Sequence, residues 1–146
     1  MTATANILVP LDGSEIAEGA IDVAIDIARP AGGRITLLVA AEPEAAAALR
    51  EFAESEEITR AMATTAYLEQ VAERVRERGV QATATSSDGT NVAAEIIERA
   101  GTDGATMIVM SSHGRSGIGR WLLGSVADKV ARSAPVPVVI VPAPGR

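Results

Sequence analysis

Two stretches hold the residues best suited to chemistry. The first, "PLDGSE" at 10–15, places the carboxylate of Asp12 directly after an apolar run. The second, "SSHGRSGIGRWLLGS" at 111–125, packs Gly114, Gly117, Gly119 and Gly124 close together and adds the only histidine, His113. It also supplies two cations, Arg115 and Arg120, in a chain of net charge -6. Glycine lets a backbone approach a ligand closely and reach positive φ. Gly124 and Ser125 open the helical pattern that follows, and the free N–H groups of a helix start point at any bound anion. With the two arginines, this suits a phosphate-bearing ligand. On this reading, valine at position 124 should block the phosphates and leave the sheet intact.

Familiar nucleotide loops do not fit. The run 119–125, "GRWLLGS", has the spacing of a Walker A loop but no lysine before Ser125, and the glycines at 114, 117 and 119 miss the dinucleotide fingerprint. Asp12 has a second reading, because "DGSE" has the spacing of a helix capping box. Gly124 and Ser125 can equally be a plain helix entry. His113 invites a general-base role, yet no carboxylate near it in sequence orients it, so a solvent-facing loop residue is expected. Trp121 reads as packing or an interface anchor. No ligand cluster supports a protein-bound metal, and no catalytic residue is assigned.

These loops need a frame, and the apolar pattern supplies it. "ANILVPLD" (5–12), "RITLLVA" (34–40), "VQATATS" (80–86), "ATMIVM" (105–110) and "VPVVIVP" (136–142) read as strands. Helical spacing recurs over 14–29, 55–79, 90–100 and 124–134. Residues 41–54 read as loop or an early helix, and the acidic run Glu54 to Glu57 as a solvated helix start. The alternation predicts an α/β fold: one domain over 1–146, an open five-stranded parallel sheet with helices on both faces. The polar third strand belongs at an edge, and outward winding from the first strand gives the order 3-2-1-4-5. The winding then reverses between strands one and four, where open sheets hold ligands. The loops after those two strands are the two stretches above.

Composition bounds the rest. In 146 residues, 47% are hydrophobic but only 2% aromatic, so the core is aliphatic. The negative charge and the lack of a basic run argue against nucleic acid. The absence of cysteine excludes disulfides and thiolate catalysis and fits a reducing cytoplasm. No targeting pattern or bilayer-length apolar run is seen, so no membrane association is expected. The last strand would leave a bare edge, and antiparallel pairing of Val138 to Val141 in two copies predicts a homodimer.

Three segments, "ILVPLDGSE", "GTNVAAEII" and "VMSSHGRSGIGRWLLGSVADKVARSAPVPVVIVP", make the chain resemble the universal stress protein family, specifically its ATP-binding branch. The family's motif is Gly, two residues, Gly, nine residues, Gly, then Ser or Thr; here Gly114, Gly124 and Ser125 match it and Ser111 replaces the first Gly. The resemblance implies a Rossmann-like, adenine nucleotide alpha-hydrolase-like sheet. By position it implies that Pro10, Leu11 and Asp12 hold the adenosine end, with Ala40 and Met110 lining the adenine pocket. Ser111, Gly114, Arg115 and Gly117 would surround ribose and phosphates, and Gly124, Ser125 and Val126 would receive the phosphate chain. It further implies ATP with Mg²⁺ carried on the nucleotide, a homodimer, and a stress-response regulator acting through a protein partner. Two rival readings are a slow ATP hydrolase and a nucleotide-free dimeric scaffold.

Overall fold

The computed structural model describes residues 4–40, 60–87, 91–113 and 123–142. Along the chain run β1 (Asn6–Leu11), α1 (Glu15–Ala28), β2 (Arg34–Ala40), α2 (Arg60–Glu77), β3 (Gln81–Ser87), α3 (Val92–Thr102), β4 (Met107–Ser111), α4 (Ser125–Ser133) and β5 (Val138–Val141). The five strands form one parallel sheet in the order β3-β2-β1-β4-β5, as the winding predicts. The segment 41–54 and the start of the helix expected from residue 55 lie outside the described residues.

The strands read as unbroken apolar runs because helices cover both of their faces. Ile7, Val9 and Leu11 of β1 pack with Ala20 and Ala24 of α1 and with Tyr67 and Val71 of α2. Leu8, Leu38, Ile108 and Met110 point the other way, onto Ala93 and Ile96 of α3 and Ala127 and Val130 of α4. β3 pairs only with β2 and alternates polar residues outward, which is why its sequence is the most hydrophilic of the five. β5 occupies the opposite edge and pairs with β4 from Ile108↔Val138 to Ser111↔Val141.

At the amino ends of the strands the core admits polar side chains, and each is closed by a neighbour. Buried Asn6 donates from Nδ2 to the carbonyls of Asp103 (3.0 Å) and Gly104 (3.3 Å). Its Oδ1 accepts from Thr36 Oγ1 at 3.4 Å, and Thr36 in turn meets Thr83 Oγ1 at 3.4 Å. This row ties β4's approach, β1, β2 and β3 together across the sheet.

Tyr67, the only tyrosine, is wholly buried on α2. Its hydroxyl donates to Glu18 Oε2 of α1 at 2.7 Å, and Arg74 donates to Glu18 Oε1 at 2.6 Å. Burial, then the hydrogen bond and charge of Glu18, push the phenol far above its ordinary value of 10.0; Asp12 adds to the rise and Arg74 opposes it. The folded chain therefore holds this proton where the unfolded chain releases it. The stability from the protonated phenol is complete below pH 10.0 and is lost as pH climbs above that value. An ultraviolet titration checks this: phenolate absorbance appears only together with loss of helical circular dichroism, and a reversible phenolate signal from the folded protein near pH 10.0 contradicts the burial.

Candidate functional site

The chain leaves β1 toward β2 and β3, then returns to lay β4 on β1's other side. Crossovers that diverge in this way open a crevice outside the carboxyl ends of the central strands. Pro10 and Leu11 end β1, Ala40 ends β2, and Met110 and Ser111 end β4. Leu11, Ala40, Met110 and Ser111 are buried, while Pro10 and Asp12 stay half-buried at the rim. Gly124, Ser125 and Val126 start α4 beside them. Of the residues expected from sequence, Gly114, Arg115 and Gly117 lie outside the described residues, as do Gly119, Arg120 and Trp121.

Asp12 does not cap α1, which corrects the capping-box reading. Gly13 has φ +87, a left-handed value open to glycine, and it turns the chain so that Ser14 becomes the cap. Ser14 Oγ accepts from the Ala17 amide at 3.1 Å. Asp12 instead receives Ser14: its Oδ1 accepts from the Ser14 amide at 2.9 Å and from Ser14 Oγ at 2.6 Å. The carboxylate is thus held by Ser14 at the end of β1 and does not cap the helix.

The turn after β4 is stitched on three sides. The Ser112 amide donates to Val141 of β5, the Ser112 carbonyl accepts from the Gly124 amide, both at 2.8 Å, and the His113 amide donates to Ser111 Oγ at 3.4 Å. Ser111 therefore takes a structural bond with its hydroxyl, and no non-glycine residue among those described has a positive φ. Serine in the motif's first position carries no backbone strain.

His113 is not the solvent-facing loop residue expected from sequence. It is 4% exposed, with Nδ1 3.1 Å from Ser112 Oγ and Nε2 buried without a hydrogen-bond partner among the described residues. The ring's Cδ2 edge, to which Nε2 belongs, faces Gly124: a Cβ built there would lie 3.7 Å from it. No local sequence signal marks this burial, because it arises only when α4 docks against the β4 turn. Leaving a buried polar atom unpaired costs on the order of 1–3 kcal/mol, so its retention beside a helix start points to an external partner.

α4 begins at Gly124, φ -62 and ψ 158, with no side chain capping its first turn. Its leading amides have no intrahelical acceptors and present partial positive charge. Glycine is favoured at 124 for space and not for a left-handed turn, since an added Cβ would meet the Ser112 carbonyl at 3.0 Å and the turn would have to give by a few tenths of an ångström. Among the described residues no three metal-binding side chains gather. No described helix is long and apolar enough to cross a membrane.

Comparison with known proteins agrees with this architecture. The profile described as "Universal stress protein family" matches residues 4–142. Universal stress protein MJ0531 of Methanocaldococcus jannaschii is 31% identical over 140 residues, covering 94% of this chain and 82% of that protein. Universal stress protein YxiE of Bacillus subtilis is 40% identical over 74 residues, which is 51% of this chain and 49% of that protein, so this match spans about half of the relative. A universal stress protein solved in complex with cAMP superposes with a TM-score of 0.71 at 25% identity, over 98% of this chain and 100% of that one.

Proposed function

The chain belongs to the universal stress protein family, and on that premise we propose that it binds an adenine nucleotide in the crevice between β1 and β4. The observation that carries the reading is the pairing of an α4 start whose N-cap is a glycine, with no side chain to cap it, and the buried Nε2 of His113, which has no partner among the described residues. Both lack what an anionic oxygen supplies. The phosphates of the nucleotide rest on the amides of Ser125 and Val126, with His113 Nε2–H donating from below and Gly114, Arg115 and Gly117 completing the enclosure. Asp12, an acceptor at the crevice mouth, receives the donors of the nucleoside, and Pro10, Leu11, Ala40 and Met110 form the apolar wall for the base. The nucleotide assigned to the crevice is ATP, and Mg²⁺ arrives on its phosphates. The structure of a relative holding cAMP supports the adenine nucleotide class.

Occupancy of this site biases the segment 111–124, and through it the binding of a regulatory partner in the cytoplasm. Two copies pair through the outer rim of β5, Val138 to Val141, closing the sheet edge.

Calorimetric titration with ATP, AMP, cyclic AMP and adenosine tests the reading, with sedimentation of the same samples reporting the dimer. ATP binds and stays unhydrolysed for hours. His113→Asn, which keeps a group near Nδ1 but removes Nε2, weakens ATP about tenfold and leaves adenosine unchanged. No binding of any adenine nucleotide and no thermal shift with Mg-ATP refutes the site and favours the scaffold reading.

A further inference from the structure

We propose that Tyr67 and Glu18 are positioning residues that set the orientation of the Asp12 carboxylate, acting through Ser14. The inference rests on the reading above, in which Asp12 receives the nucleoside. A continuous hydrogen-bonded path carries it. Tyr67 Oη donates to Glu18 Oε2 at 2.7 Å, and Glu18 Oε1 accepts from Arg74 at 2.6 Å, so α2 holds both oxygens of that carboxylate. The Glu18 amide donates to the Ser14 carbonyl at 3.3 Å, in the first turn of α1. Ser14 then grips Asp12 Oδ1 with both its amide and its hydroxyl.

Packing alone does not account for this arrangement. Tyr67 is the largest fully buried side chain in an aliphatic core, and phenylalanine fills that space without needing a partner for a hydroxyl. The chain instead draws a carboxylate inward one turn after Ser14, pinning the end of α1 that carries Asp12. The phenol also lies within electrostatic reach of Asp12, whose charge is one cause of its raised proton affinity. The Glu18 side chain is fixed by Tyr67 and Arg74, and the first turn of α1 carries that anchor through the backbone to Ser14, whose amide and hydroxyl set Asp12.

A double-mutant cycle distinguishes positioning from a general loosening of the fold. ATP affinity and melting temperature are measured for the wild type, Tyr67→Phe, Asp12→Asn and the double variant. Tyr67→Phe weakens ATP roughly fivefold in the wild-type background and has no further effect on affinity beside Asp12→Asn, while lowering the melting temperature equally in both. Equal weakening in both backgrounds, or none in either, overturns the proposal and leaves the nucleotide site standing. An Asp12→Asn variant that binds ATP like the wild type overturns both this proposal and the role given to Asp12. If Tyr67→Phe does not fold, Glu18→Ala carries the same cycle with the same criteria.

Discussion

Valine at Gly124 removes nucleotide binding and loosens the fold together, with ATP affinity falling on the order of a hundredfold and stability by about 2 kcal/mol. The backbone torsions at 124 suit any residue, so the cause is crowding. A Cβ there meets the Ser112 carbonyl at 3.0 Å and His113 Cα at 3.5 Å, and the methyls of valine reach farther. Ser112 cannot retreat freely, because its amide holds Val141 and its carbonyl holds the Gly124 amide. Relief comes from α4 moving off the turn, which displaces the amides that meet the phosphates and opens the cover over His113. To the expectation that bulk at 124 blocks the phosphates the structure adds a second cost, because the bulk also points into the turn that joins β4, β5 and α4. Thermal unfolding and ATP titration check it, with Gly124→Ala as the graded control whose losses are smaller in both. A valine variant that melts lower by roughly 6 °C but binds ATP normally refutes phosphate binding at α4.

Much of this was written in the sequence, and the reasons differ from element to element. The central strands are legible because burial on both faces leaves runs such as "ILV" and "TLLV" with no polar interruption, and the edge position of β3 because "QATATSS" is not such a run. The crevice followed once the order was known, since the reversal point is a topological fact. Choosing between Asp12 and Ser14 as the cap of α1 was beyond local spacing. Both are good acceptors two positions apart, and the decision falls to the left-handed turn at Gly13. The burial of His113 is not legible locally for a deeper reason: polar residues in glycine-rich loops usually face water, and the ring lies beside a long-range closure, Ser112 on Gly124, that sequence spacing does not show. Gly124 is legible as a helix entry with room for close approach, but the neighbour that crowds it, the Ser112 carbonyl, is set by long-range packing.

Replacing Asn6 by leucine, at the other end of the same strand, is expected to cost about 3 kcal/mol of stability, roughly 10 °C in melting temperature, with ATP affinity unchanged. Leucine fits the volume, but it strips the Asp103 and Gly104 carbonyls of their donor and Thr36 of its acceptor. Thr36 is buried at the amino end of its strand, whereas Asp103 is half-buried and Gly104 exposed, so the cost falls chiefly on the Thr36 hydroxyl and the inward-facing Asp103 carbonyl. The carboxyl ends show the opposite treatment of the same chemistry. There the two buried side-chain polar atoms without partners among the described residues, Ser87 Oγ and His113 Nε2, sit at the ends of β3 and β4. On the nucleotide site proposed above, stability at the amino ends and binding at the carboxyl ends separate along the strand direction. Denaturant unfolding and calorimetry on Asn6→Leu measure that division directly. A loss of ATP affinity in proportion to the loss of stability shows the two ends to be one cooperative unit, and an unchanged midpoint shows that the Asn6 row contributes nothing to the fold.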